Sequence, residues 1–152
     1  MDKLAVRRDA KIEESEEINE IEAMLLAAPE EEYMSPKQLA FFRQRLRDEE
    51  QTLLSAVKET AGHLQEAEPS ADWSDRASTE EEHTLELRVR DRERKLLQKI
   101  REALRRIDDG SYGWCEETGE PIGMARLLAR STASLCLEAQ ERREQNKRRF
   151  GG

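Results

Sequence analysis

Cys115 and Cys136 stand where a four-cysteine zinc site would have its first and third ligands. They open the segments Cys115-Glu116-Glu117-Thr118 and Cys136-Leu137-Glu138-Ala139, with 17 residues between the two segments. Cysteine at Thr118 and Ala139 would complete C-x2-C-x17-C-x2-C, inside the zinc-ribbon range. A structural zinc takes four tetrahedral ligands, and a hydroxyl and a methyl group do not supply the missing two. His63 and His83 are the only histidines and lie far off in sequence, expected to face one another near a turn between two helices. Glu117 or Glu138 offers oxygen for a weak metal site at best. The expectation is a metal-free scaffold with zinc not required. Two cysteines without an export signal point to a reducing cytoplasm and free thiols. A reversible disulfide, and with it a redox role, needs Cα atoms within about 7 Å.

A second chemically suggestive stretch is Asp72-Trp73-Ser74-Asp75-Arg76-Ala77. Aspartate and serine are ordinary helix-capping residues. The same two carboxylates, beside a tryptophan in a tight link, also suit an acidic probe. As a stand-alone Mg²⁺ site they are too few. The chain offers no Ser/His/Asp set, no phosphate-binding loop and no suitable histidine base, so it is not expected to be an enzyme.

Composition decides what must position these groups. Of the 152 residues, 39 % are charged and 36 % hydrophobic, with a mean hydropathy of -0.93. So polar a chain lacks the apolar residues to fill a compact core, whereas long helices bury only a stripe. No apolar run reaches the roughly 20 residues of a membrane span. The net charge of -8 argues against sequence-specific DNA binding. Charge is unevenly spread: residues 13–32 hold nine glutamates and no lysine or arginine, while residues 86–106 hold nine basic and four acidic side chains.

The pattern predicts a mainly α fold. A short helix over Lys11 to Ala28 carries Ile18, Ile21 and Leu25 at helical spacing and stops before Pro29. Ser35-Pro36-Lys37-Gln38 starts the next helix with a capping serine, proline at the first position and glutamine at the third. Its seam runs Leu39, Phe42, Leu46, Glu49, Leu53, Val57, Thr60, Leu64. A further start at Ser78-Thr79-Glu80-Glu81 leads into a seam of Leu85, Val89, Arg92, Leu96, Ile100, Ala103 and Ile107, closing near Gly110. Two such helices joined by a short link fold back as an antiparallel coiled-coil hairpin, and roughly 30 residues give an arm on the order of 45 Å long. The expected organisation is an N-terminal segment, 1–33, packing on a globule; an arm, 34–109, with its tip at about 68–77; a degenerate zinc-finger globule, 110–133; and a C-terminal helix, 134–152. Tyr112, Trp114, Ile122, Met124, Leu127, Leu128 and Leu135 are candidates for the globule's core. A dimerising structural coiled coil is the competing reading, weakened by polar residues at Glu49, Thr60 and Arg92 in the seams.

Several motifs then fall in a telling order: Asp72-x-x-Asp75-Arg76-Ala77, Glu80-Glu81-Glu82, Leu85-Glu86-Leu87-Arg88, Arg90-Asp91-Arg92-Glu93-Arg94-Lys95-Leu96, Gly113-Trp114-Cys115-Glu116, Arg126-Leu127-x-Ala129-Arg130 and Leu135-Cys136. In this order the chain resembles the DksA/TraR family of bacterial RNA polymerase-binding transcription factors, from about Glu31 to the C-terminus. The resemblance implies a monomeric cytoplasmic regulator that inserts its arm into the secondary channel of RNA polymerase and alters promoter complexes together with ppGpp. It implies control of the stringent-response kind, negative at rRNA promoters and positive at amino-acid biosynthesis promoters. By position, Asp72, Asp75, Arg76 and Ala77 form the functional tip, and Arg88 and Arg92 dock on the polymerase. Leu96, Lys99, Arg130 and Gln140 fall on the family's ppGpp contacts. Gln140 stands where the family usually has lysine, one cationic donor fewer for a pyrophosphate. Thr118 and Ala139 match the zinc-independent members.

Overall fold

The computed structural model describes residues 3–66 and 73–150, without the side chains of 3–9, 60, 63–66 and 73–77. In chain order the helices are α1 (Lys3–Ala27), α2 (Pro36–Glu66), α3 (Trp73–Asp109), α4 (Met124–Ala129) and α5 (Leu137–Phe150), with a 3-10 turn at Glu30–Glu32. Among the described residues the only strand-like pairing is an isolated antiparallel bridge between Trp114 and Pro121. The fold is mainly α, as the periodicity predicts. It divides into two compact units: Phe42–Tyr112, and Met1–Phe41 with Gly113–Gly152.

The start of α2 follows from its sequence, with a small displacement. Ser35 Oγ accepts from the Gln38 backbone N–H at 3.4 Å. Gln38 Oε1 reaches back to the N–H of Met34, one residue earlier than a standard capping box, at 2.9 Å. Met34 has φ 55°, a left-handed conformation unusual for a side-chain-bearing residue. The Gln38 bond therefore satisfies a donor at the most strained point of the entry loop.

Within the first unit, α2 and α3 form an antiparallel hairpin. Arg43 pairs with Asp108 at 2.6 Å and Glu50 with Arg101 at 3.4 Å. One heptad forward along α2 is thus one heptad back along α3, which only antiparallel helices in constant register produce. Phe42, Leu46, Ile100, Ala103, Ile107 and Tyr112 are buried at this end. The Phe42 and Tyr112 rings lie 5.5 Å apart. Gly110, at φ 85°, takes the left-handed cap of α3. The Arg106 carbonyl then accepts from both Ser111 and Tyr112 N–H, at 3.0 and 3.1 Å.

The seam of α3 departs from the expected one. Leu85, Val89 and Leu96 are exposed, at 58 %, 45 % and 43 %. Glu86, Asp91, Glu93, Leu97 and Leu104 are half-buried, and of these Glu86 and Glu93 stand in the heptad line of buried Ile100 and Ile107. Extending the heptads backward from Ile107 and Ile100 lands on Glu93 and Glu86, so packing at the hairpin base overrides the apolar pattern further out. One oxygen of Glu93 is buried with no hydrogen-bond partner among the described residues. On α2, Phe42 and Leu46 are buried, Leu39, Leu53 and Val57 half-buried, and Glu49 exposed. Helix α3 also begins at Trp73, so Ser78 lies inside it and is no cap. Residues 73–77 contain neither proline nor glycine, and Asp75 in the first turn suits the positive end of the helix dipole.

In the second unit α1 starts earlier than Lys11, packs against α4, and ends at Ala27 before Pro29. From residue 10 to 21 it is exposed, Ile12, Ile18 and Ile21 included. The stretch expected as turns holds the short helix α4, and the last helix begins at Leu137 rather than Ser134. Of the core candidates here, Ile122, Leu127 and Leu135 are buried, whereas Trp114 is 38 % exposed. Met124 and Leu128 are half-buried.

Phe42 is fully buried against Tyr112, so Phe42→Ala removes a large side chain that the helical backbone cannot collapse to replace. Urea denaturation followed by circular dichroism should show a loss of about 3–5 kcal/mol.

Candidate functional site

The cysteine-bearing loop is a knuckle built from main-chain bonds. Cys115 N–H donates to Glu120 O at 2.8 Å, Gly119 N–H to Cys115 O at 2.9 Å, and Ile122 N–H to Gly113 O at 2.9 Å. Gly113, Gly119 and Gly123 all have positive φ. The second half is tied in by Glu116 N–H to Ser134 O at 3.0 Å and Gln140 N–H to Cys136 O at 3.0 Å. Arg126 Nε adds a bond to Leu135 O at 2.9 Å.

Cys115 and Cys136 are buried free thiols. Thr118 Oγ1 lies 3.8 Å from Cys136 Sγ, and Ala139 is fully buried. Burial pushes the Cys115 thiol up. Hydrogen bonds from the Thr118 hydroxyl and from the N–H groups of Cys136, Thr118 and Glu117 outweigh it and bring the pKa from 9.0 to about 6. The knuckle therefore offers its first thiolate the donors that such loops present to a metal-bound sulfur. The donor set does not fit zinc, however. No group of three or more histidine, cysteine, aspartate or glutamate residues converges among the described residues. The Glu117 carboxylate is engaged by Arg143 instead. His83 is exposed, and its expected pairing with His63 lies outside the described side chains.

Tyr33 holds this loop from the N-terminal side. Its hydroxyl donates to Gly113 O at 2.6 Å and accepts from Gly123 N–H at 3.0 Å. Burial raises its pKa against the lowering effect of backbone hydrogen bonds, which keeps the phenol a donor. Its ring meets Trp114 edge-on at 5.4 Å.

The remaining sequence-derived site residues distribute as follows. Asp72 lies outside the described residues; Asp75, Arg76 and Ala77 fall in the opening turns of α3, with undescribed side chains. Arg88 and Arg92 are exposed one turn apart on α3. Further along the same helix Asp91 pairs with Arg94 at 2.7 Å and Lys95 at 3.0 Å. Those contacts, Lys95 foremost, lower the Asp91 pKa. Leu96 and Lys99 are exposed three residues apart on α3. In the other unit, Arg130 is exposed just after α4, and Gln140 donates through Nε2 to Glu144 at 3.2 Å.

Comparison with known proteins gives this arrangement its relatives. Residues 38–107 match the N-terminal domain of the DnaK suppressor protein DksA, and residues 110–145 match the prokaryotic dksA/traR C4-type zinc finger. The chain is 55 % identical over 120 residues to the RNA polymerase-binding transcription factor DksA of Caulobacter vibrioides, covering 78 % of this chain and 84 % of that one. The chain belongs to the DksA family. The DksA of Escherichia coli K12 is 45 % identical over 125 residues, covering 82 % of this chain and 83 % of that protein. Transcription factor DksA2 from Pseudomonas aeruginosa superimposes with a TM-score of 0.75 at 49 % identity, over 82 % of this chain and 96 % of DksA2. The match to a C4-type finger sets this DksA-family chain's two missing cysteines in relief.

Sequence reasoning foresaw Gln38 as a capping residue but missed the Tyr33 bridge, the Arg126 bond to Leu135 O and the Arg143–Glu117 pair. These three act over separations that no periodicity reports.

The Cys115 environment has a pH consequence. Its folded pKa of about 6 lies below the ordinary 9.0, so the stabilisation is complete above about 9, declines as pH falls, and is gone below about 6. Thiolate absorbance should show a step near pH 6 in the native protein. Thr118→Val should move that step toward 9.0; an unmoved step would show that the hydroxyl does not hold the thiolate.

Proposed function

We propose that this protein regulates transcription by binding RNA polymerase and inserting the α2–α3 hairpin into its secondary channel. There the Asp72–Ala77 tip alters the lifetime of promoter complexes in concert with ppGpp. The observation that carries this reading is the 55 % identity to an RNA polymerase-binding transcription factor. It is supported by the match of residues 38–107 to the family's N-terminal domain and by the antiparallel helix pair. The protein performs no chemistry of its own. It acts as a cytoplasmic monomer that offers a polymerase pore an acidic tip, with no need to read DNA sequence.

Exposed Arg88 and Arg92 supply cationic docking to an acidic polymerase surface, which favours rate and specificity over raw affinity. Leu96 and Lys99, exposed on α3, and Arg130 and Gln140, in the other unit, are the positions that the family resemblance assigns to ppGpp contact. Lys99 and Arg130 provide the cationic donors that phosphate oxygens favour. With glutamine at 140, this contact has one positive charge fewer than the family usual, so ppGpp synergy is expected to be weaker.

The globule works without zinc in this reading, its loop held by the Tyr33 bridge and the main-chain bonds. Treatment with a strong chelator should leave the melting temperature unchanged, and elemental analysis should find less than stoichiometric zinc. Stoichiometric zinc lost together with the fold would overturn that part.

Asp75→Asn tests the mechanism itself. Regulation of an rRNA-type promoter should be lost in reconstituted transcription, while polymerase binding measured separately stays close to that of the unaltered protein. Unchanged regulation would remove the tip assignment; lost binding would place Asp75 in docking instead.

A further inference from the structure

A groove of about 420 Å³ opens where the end of α1 passes the cysteine-bearing loop. Its apolar walls are Leu25, Leu26, Pro29, Trp114, Pro121 and Met124. Leu26 and Trp114 remain 55 % and 38 % exposed, so two large apolar side chains face an open site. The volume and the mix of aliphatic and aromatic walls suit a side-chain-sized ligand.

Two polar features give the groove a direction. Gln38 lines it and is only 4 % exposed. Its Oε1 is used by Met34 N–H; its Nε2 is a donor only, suited to a carbonyl acceptor. Glu30 also lines the groove and continues into exposed Glu31 and Glu32, the last of the nine glutamates in residues 13–32. An anionic ligand or an acidic membrane surface would be repelled there.

We propose that this groove docks a short peptide segment of another protein, carrying one large apolar side chain beside lysine or arginine. The apolar side chain packs on Trp114, Leu26 and Met124, a backbone carbonyl accepts from the Gln38 amide, and the cationic residue meets Glu30–Glu32. Charge complementarity selects this occupant: the groove's charged wall carries glutamate. The end of α5, Lys147-Arg148-Arg149-Phe150, has the same chemistry, but Phe150 is 86 % exposed and does not fill this groove. This site shares no residue with the tip or with the α3 positions named above, and stands or falls independently of the polymerase reading.

The test uses the full chain carrying Trp73→Phe, which leaves Trp114 as the sole tryptophan. An acetylated, amidated pentapeptide with phenylalanine next to two arginines is titrated against it, beside a control with two glutamates in place of the arginines. The basic peptide should change Trp114 emission saturably with a Kd below about 1 mM. The double substitution Glu30→Lys with Glu31→Lys, at exposed positions, should weaken it by about tenfold. Met124→Glu should abolish binding with the helical spectrum retained. No saturable change, or equal binding of the acidic peptide, would overturn the proposal. So would self-association, seen as sedimentation mass rising with concentration and abolished by Phe150→Ala, because the groove would then belong to a second copy.

Discussion

One phenol hydroxyl ties the loop unit together. Tyr33 bridges the Gly113 carbonyl and the Gly123 N–H, two backbone groups at opposite ends of the cysteine-bearing loop. It does so across 80 and 90 residues of sequence, so the bond closes a long chain segment as well as satisfying two polar groups. Glycine at 113 is part of the arrangement. A Cβ there would come within 2.5 Å of the Met34 side chain, and φ is +89°. The left-handed turn at Met34, the Gln38 cap and the Tyr33 bridge are therefore one construction, in which the start of α2 and the closure of the loop fix each other. A zinc ion in a ribbon clamps two knuckles from within. Here a hydrogen-bonded phenol closes the first knuckle from outside, and Glu116 N–H to Ser134 O and Arg126 Nε to Leu135 O tie in the second.

The knuckle nevertheless keeps the electrostatics of a metal loop. Backbone N–H groups from Cys136, Thr118 and Glu117 point at the Cys115 sulfur, as they would at a metal-bound thiolate. Thr118 completes the set with a hydroxyl instead of a second sulfur. The result is a buried thiolate stabilised by neutral donors, with a methyl group of Ala139 filling the remaining ligand position. Replacing a ligand by a hydrogen-bond donor and another by an apolar group retains the loop's shape while removing any tetrahedral donor set.

Much of the architecture was legible because helix periodicity and capping chemistry are local. The start of α2 at Pro36, the stop of α1 before Pro29 and the glycine cap at Gly110 each rest on a few adjacent residues. The α3 seam was not legible, because its register is set by distant contacts. Leu85, Val89 and Leu96 look like a stripe on their own, but the buried set is Phe42 and Leu46 on α2 with Ile100, Ala103 and Ile107 on α3, and the heptads counted from Ile107 bring Glu86 and Glu93 inward. The extension of α3 back to Trp73 escaped notice for a related reason: Ser78-Thr79-Glu80-Glu81 has cap chemistry, but an uninterrupted run of helix-compatible residues precedes it. At the loop, the cysteine spacing revealed the knuckle and its incomplete ligand set, whereas Tyr33 and Arg126 act through backbone groups that carry no sequence signature.

The shifted seam has a consequence for how the hairpin divides stability and function. Apolar contacts concentrate at the Phe42–Tyr112 end, where six side chains are buried. Further along α3 the inward positions turn acidic, and one buried Glu93 oxygen lacks a partner there among the described residues. The cross-helix ion pairs do not compensate, since exposed pairs of this kind contribute roughly 0–1 kcal/mol each. Local stability therefore falls from the base of the hairpin along its length. The apolar residues that a stability-optimised seam would turn inward, Leu85, Val89 and Leu96, are spent on the surface instead. Local rules broken without compensating packing are characteristic of functional surfaces. For a hairpin whose proposed task is to lie inside a larger machine, leucine and valine among arginines on the outer face are what a docking surface requires, and the weaker outer seam is what that placement costs.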